Sequence, residues 1–228
     1  AIQQGEAIDD ENVRLLFEKV LVLERLGRHK EMSQVHTRLI RLLDYPNELI
    51  WKQVYLNTIL KDTIAQEELY RELWKNQGGS WGYELLQLQI ANRKFDEAAD
   101  VAQELLDRAP QDEELQNILV TLLQKSNQDS VAVVRLHSFY QDDTSRIDML
   151  DYAGRLEVKM GRSKEGIAHL LRVIEVKPQS AHTLFFLSMG YAQEGETDNA
   201  LEAIERALKI DSIDAALHTQ RVLVLMRS

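Results

Sequence analysis

The segment Gly78-Gly79-Ser80-Trp81-Gly82 matches G-x-S-x-G. In that pattern a serine hydroxyl on a sharp elbow attacks an acyl carbon. The chemistry needs a strand feeding the turn, an oxyanion hole and a His–acid pair. Here the preceding residues, Glu67 to Trp74 (EELYRELW), read as a helix. The blander reading is the one taken: Gly78 ends one helix, Ser80 starts the next, and the glycines offer a possible hinge between units. A serine hydrolase using Ser80 stays as the remote alternative.

Other chemistry is sparse. The six histidines (29, 36, 137, 169, 182 and 218) are scattered through the chain. None forms H-E-x-x-H, and all read as surface or packing residues. Cysteine is absent, which is read as excluding disulfides, thiol chemistry and a zinc site. There is no phosphate-cradling glycine loop and no calcium loop. No catalytic, cofactor or metal-ligating residue is therefore assigned, and no enzymatic activity is expected.

The elements that would position any site are helices. Three prolines and ten glycines in 228 residues leave few breaks. Leu115, Ile118, Leu119, Leu122 and Leu123 recur at the three- and four-residue steps of one helical face. The runs Val131–Val134 and Val222–Leu225 imitate strands, but their phase puts both inside helices. Ser145-Arg146-Ile147-Asp148 resembles a capping box at a helix start, with Asp in place of Glu.

The helices come at a fixed beat. Gly161 and Gly195 lie 34 residues apart, and Pro110 and Pro178 lie 68 apart. A period of this size means one helical hairpin copied along the chain and stacked on its neighbours. Superposing 147–180 on 181–214 aligns Gly154 with Ser188 and Gly166 with Ala200. It also aligns Leu150 with Leu184 and Leu170 with Ile204. Small residues let two helices approach, and large apolar ones fill the space beside them.

The series Leu184, Leu187, Ser188, Tyr191, Gly195, Ala200, Ile204 and Ala207 resembles the tetratricopeptide repeat pattern. Phe95-Asp96-Glu97-Ala98 with Pro110 resembles the opening of its second helix. Departures are plain: Ser188 stands where glycine is usual, Ser212 where proline is, and Glu157 where tyrosine is. The resemblance covers about half of the chain. Phase extends it to units 13–46, 47–78, 79–112, 113–146, 147–180 and 181–214, with a terminal helix at 215–228 and a polar lead-in at 1–12. The unit 47–78 is degenerate, carrying Val54, Lys61 and Gln66 at the small-residue positions, and 113–146 has no glycine in its turn. The expectation is an all-α, right-handed superhelical solenoid of about six hairpins plus a terminal helix, in one continuous array.

Such a resemblance implies a binding scaffold whose first helices line a concave groove. Carried over position by position, the groove residues include Phe17 and Leu21, Trp51 and Tyr55, Tyr83 and Gln87, Asn117, Arg155, Phe185 and Met189. Phe17, Trp51, Tyr55 and Tyr83 make an aromatic stripe, the kind of anchor a partner helix or apolar peptide uses. Repeats that clamp acidic tails need two Lys, two Asn and an Arg converging from three hairpins. Here only Asn117, Arg155 and Lys159 are available, and Asp148 and Asp151 oppose an acidic ligand. The family serves in assembly, secretion and envelope biogenesis.

A net charge of −10 and a pI near 5.1 argue against nucleic acid as a partner. The basic cluster of Arg25, Arg28, His29, Lys30, Arg38 and Arg41 reads as a solvated face. No apolar run approaches the ~18 residues of a membrane span. Cysteine-free composition fits a cytoplasmic or a bacterial periplasmic protein equally. The chain lacks an initiator methionine, and nothing follows the apolar stretch Val222–Met226 to cover it. That predicts a longer parent protein or a homo-oligomeric contact through Val222, Leu223 and Leu225. The competing expectation is a helix that turns these residues inward.

Overall fold

A computed structural model describes residues 10–226, with the side chains of Asp10, Glu11, Asn12 and Asp142 outside the description. The lead-in proposed for 1–12 falls mostly outside it. The described residues form thirteen helices: α1 Asp10–Arg25, α2 His29–Leu42, α3 Asn47–Leu60, α4 Thr63–Gln77, α5 Trp81–Ala91, α6 Phe95–Arg108 and α7 Glu113–Lys125. They continue as α8 Asp129–Asp142, α9 Ile147–Lys159, α10 Ser163–Val176, α11 Ala181–Glu194, α12 Thr197–Ile210 and α13 Ala215–Leu225. No strand occurs among them, and both strand-like runs lie in helices, Val131–Val134 in α8 and Val222–Leu225 in α13.

Local chemistry sets the boundaries. Pro46, Pro110 and Pro178 all lie between helices, where their missing N–H costs nothing. Side-chain oxygens of Asp62, Asp112 and Ser180 accept from the backbone N–H groups of Ala65, Leu115 and Thr183 at 3.0, 3.0 and 3.2 Å. Each satisfies a donor the helix start leaves free. The capping box expected at Ser145 does not form. Asp143 accepts from both the backbone N–H and the hydroxyl of Ser145, so the serine is spent in an Asx turn before α9 begins.

One turn residue per hairpin carries a left-handed backbone: Gly27, Lys61, Arg93, Asn127, Gly161 and Gly195, with φ between 53 and 79°. Glycine suits this position because it has no Cβ to clash. Where glycine is missing, Lys61, Arg93 and Asn127 take the strained conformation instead, and the step stays at 34 residues except for 32 between Lys61 and Arg93. The geometry is inherited from the packing of the hairpin, so sequence alone marks it only where glycine is present.

The chain divides into two compact units, Ala1–Lys94 and Phe95–Ser228. The division falls in the turn between α5 and α6, not at Gly78-Gly79, where the sequence offered its candidate hinge. In the first unit successive helices pack against one another, and Leu16, Val20, Leu23, Met32, Val35, Leu39 and Leu56 form the buried cluster at its start. In the second, α6 to α13 also pack in chain order, and α11 meets α9 and α13 as well. Leu150, Leu170, Leu184 and Ile204, matched by the repeat alignment, are each at most 1% exposed. The small positions do what the alignment requires. A Cβ on Gly166 would lie 2.6 Å from the Val158 side chain and 2.7 Å from the Gly154 carbonyl oxygen. Only glycine lets α9 and α10 cross this closely.

Candidate functional site

The first helix of each hairpin (α1, α3, α5, α7, α9, α11) carries the residues expected to face a partner. In the N-terminal unit these side chains stand in solvent. Trp51 is 59% exposed and Tyr55 64%, one turn apart on α3. Phe17 and Leu21 are exposed at the same spacing on α1, as are Tyr83 and Gln87 on α5. Residues four apart share a helix face, so each helix presents its pair together.

This aromatic surface is tied to the core. The Trp51 ring lies 5.5 Å from that of Trp81, and Trp81 lies 5.7 Å from Tyr70, which is buried. The Trp81 indole N–H donates to Gln77 Oε1 at 3.3 Å. A path of rings thus runs from interior to surface and limits how far Trp51 can move. Trp81 was read from sequence only as part of the elbow motif. Its helix-opening position, one turn after Gln77, was the available signal. Polar pairs accompany the face: Lys52 meets Glu24 at 3.3 Å and Arg14 meets Glu18 at 3.6 Å, all exposed.

The C-terminal unit treats the corresponding positions differently. Asn117 is exposed, but Arg155 is already engaged. Its Nε sits 2.9 Å from Asp151, its Nη1 donates to the His182 ring at 3.0 Å, and its guanidinium lies 5.2 Å from the Tyr152 ring centre. Asp151 also accepts from the Thr183 hydroxyl at 2.7 Å. Burial and the positive charge of Arg155 lower the pKa of His182. Phe185 and Met189 are half-buried against the core of α10–α13. Met189 lines a cleft of about 210 Å³ with Leu223 and Val224. Arg155, Phe185 and Met189 are thus engaged with neighbouring residues of the chain.

Two features escaped sequence reasoning. A cavity of about 350 Å³ opens among α2, α3 and α4, lined by Ser33, Thr37, Arg41, Gln53, Asn57 and Glu72 among others. Buried Gln53 donates to Ser33 Oγ at 2.7 Å and to Asn57 Oδ1 at 2.8 Å. Gln53 Oε1 and Asn57 Nδ2 keep no hydrogen-bond partner. At the rim Glu72 accepts from Arg41 at 3.0 Å and from the Tyr45 hydroxyl. Burial would raise the Glu72 pKa, but these hydrogen bonds outweigh it and hold the carboxyl below its ordinary value. The pairing of Arg41 with Glu72 and of Arg28 with Glu31 also consumes part of the basic cluster.

The second feature is a triad. His137 on α8 and His169 on α10 converge on Glu157 of α9, at 3.0 and 2.7 Å. Burial would raise the Glu157 pKa, but hydrogen bonds from His169 and His137 overcome it and lower the value. The sequence alone presents these two histidines as scattered surface or packing residues. They are 32 positions apart, and stacking one hairpin on the next brings them together.

Ser80 has an ordinary right-handed helical backbone and joins α4 to α5. No strand feeds it among the described residues, so this segment is not an elbow. No described helix is long and apolar enough to cross a membrane.

Arrays of short helical hairpins closed by left-handed turns, with small residues at the crossings, define the α-solenoid class. Residues 153–215 match the family model described as tetratricopeptide repeat, and the described residues have an all-α solenoid fold of the tetratricopeptide-repeat type. A 62-residue stretch is 36% identical to Protein CTR9 homolog of Arabidopsis thaliana, covering 27% of this chain and 6% of that protein. The matched stretch is thus a small fraction of that relative's length. Among solved structures, Naa15/Naa10 bound to HypK-THB superposes with a TM-score of 0.68 at 14% identity, over 92% of this chain and 33% of that one. YrrB, described as a TPR protein with an unusual peptide-binding site, superposes with a TM-score of 0.58 at 18% identity, over 83% of this chain and 99% of its own. At these identities the structural likeness concerns the fold.

Proposed function

We propose that the chain is a non-enzymatic protein–protein interaction scaffold, and that it receives a partner helix or extended apolar peptide on the α1–α3–α5 face. The observation carrying this reading is the exposure of Trp51 and Tyr55 on one face of α3, with Trp51 steadied from behind by Trp81. Large rings held rigidly in solvent lose little entropy on binding and offer much apolar area. The flanking pairs Arg14–Glu18 and Glu24–Lys52 would tune encounter rate and specificity more than affinity. Phe17, Leu21, Tyr83 and Gln87 complete the surface; Asn117, Arg155, Phe185 and Met189 contribute less, being fewer or already engaged. That a solved relative is described by its peptide-binding site supports a peptide ligand here. A role inside a larger assembly, secretion or envelope-biogenesis protein is part of the same proposal. The test is affinity capture with wild type and a Trp51→Ala/Tyr55→Ala variant of equal helicity.

A second reading is a homo-oligomerising spacer. On α13 Leu217, Gln220 and Val224 are buried, while Val222, Leu223 and Leu225 are each about half exposed. Light scattering after size exclusion tests it. The reading expects a dimer or larger species that Leu223→Glu reduces to monomer; a wild-type chain monomeric at all concentrations rejects it.

A further inference from the structure

The triad of His137, Glu157 and His169 has the composition of a metal site. His137 Nε2 lies 3.0 Å from Glu157 Oε1, and His169 Nδ1 lies 2.7 Å from Oε2. All three donor atoms lie within 4.8 Å of one another. The imidazole rings, 4.5 Å apart between centres and inclined at 55°, close on the same carboxylate. The glutamate side chain is 5% exposed and those of the histidines about a quarter exposed. The carboxylate thus forms the floor of the cluster, and the rings stand between it and solvent.

Two imidazoles and a carboxylate, with a fourth position open to water, make a donor set that zinc accepts. Zn–N and Zn–O bonds of about 2.0–2.2 Å place tetrahedral donors roughly 3.3 Å apart. The two histidine–carboxylate separations, 3.0 and 2.7 Å, lie a few tenths of an ångström below this value, so modest ring rotations suffice. Each ring now directs an N–H at the carboxylate. Coordination needs a lone pair there instead. A neutral imidazole provides it by moving its proton to the other ring nitrogen, and the partial exposure of both rings lets water carry that exchange. Calcium and magnesium, which prefer all-oxygen shells, fit poorly. The absence of cysteine excludes only thiolate ligation.

We propose that His137, Glu157 and His169 bind one divalent transition-metal ion of the Zn²⁺ class and so clamp α8, α9 and α10. The ion would join hairpin α7–α8 to hairpin α9–α10. The seam it would reinforce already has polar ties: Arg162 donates to Ser130 Oγ at 3.1 Å, and Arg172 donates to the Tyr140 hydroxyl at 3.0 Å.

The experiment uses the full chain without added histidines, stripped with chelator and titrated with ZnCl2 by calorimetry. Co²⁺ serves as an absorbing substitute. The expected result is one ion per chain, a tetrahedral Co²⁺ spectrum, and a rise in Tm that EDTA reverses. Glu157→Gln keeps the side-chain volume and should weaken Zn²⁺ binding at least about tenfold. His137→Ala/His169→Ala should abolish it. Because the double variant leaves a buried carboxylate unpaired, circular dichroism checks that it folds, and Glu157→Gln decides if it does not. Failure of the folded wild type to bind, or equal affinity in wild type and Glu157→Gln, overturns the proposal.

Discussion

At the residue scale, His36 holds the clearest titration in the N-terminal unit. It is 1% exposed, and Nδ1 has no hydrogen-bond partner. Burial, reinforced by the charge of Lys52, lowers its pKa from 6.5 to about 4. The unfolded chain therefore binds a proton at higher pH than the folded chain does. The stability contributed by a neutral His36 is fully present above pH 6.5 and is lost as pH falls toward 4. The loss amounts to about 3 kcal/mol. All three tryptophans, Trp51, Trp74 and Trp81, lie in this unit, so tryptophan fluorescence reports its unfolding. Urea midpoints by fluorescence should drop across this pH window for wild type and drop less for His36→Leu. Equal slopes in both would show that the histidine is not the titrating group.

Legibility at this scale depended on how far apart the cooperating residues lie. Trp51 and Tyr55 are one turn apart, and carrying the repeat resemblance over position by position puts both on one helix face. Glu157 stands out in the sequence as a departure from the repeat pattern, but its partners sit 20 positions before it and 12 after. Only the stacking of α8 on α9 and of α9 on α10 brings them together. The Gln53–Asn57 pair failed to register for another reason. Amides at helix positions usually face water, and nothing local signals that the neighbouring helices will bury them.

At the element scale, the repeat period proved a better guide than residue identity. The hairpin α3–α4 keeps none of the small residues of the pattern, yet its turn closes with a left-handed residue 34 positions after Gly27. Lys61 pays for that conformation with a steric clash of about 1 kcal/mol or more. Glycine would remove the clash while adding freedom to the unfolded chain, about 0.4–1 kcal/mol in the other direction. Lys61→Gly should therefore leave stability unchanged or raise it by up to about 1 kcal/mol, whereas Gly161→Lys should lower it by at least as much. Urea unfolding followed by circular dichroism measures both. A loss of more than 1 kcal/mol in Lys61→Gly would mean that the lysine side chain, and not its backbone, closes the turn. The capping box at Ser145 shows the opposite hazard: its letters fit, but Asp143, just outside the motif, captured the serine first.

At the scale of the whole molecule, packing runs between sequence neighbours in both units, as a stack of repeats requires. The surfaces of the two units nevertheless differ. Around α9 and α11 the first-helix positions are occupied by internal pairs such as Arg155–Asp151 and Thr183–Asp151. Around α1, α3 and α5 they carry exposed rings. This asymmetry is why the binding face is proposed on the N-terminal unit, although the family model matches the C-terminal one. Conformity to the repeat pattern reflects helix crossing, which selects small residues inside the hairpin. Binding is written on outward positions that the pattern leaves free.

The central claim is tested most directly by affinity capture from the source lysate with wild type beside Trp51→Ala/Tyr55→Ala, both confirmed equally helical, followed by titration of the captured protein against each. The account predicts a partner held by wild type and bound at least about thirtyfold more weakly by the variant, the loss of a hot spot worth about 2 kcal/mol. Equal affinity for both would contradict it and move the binding surface away from α3.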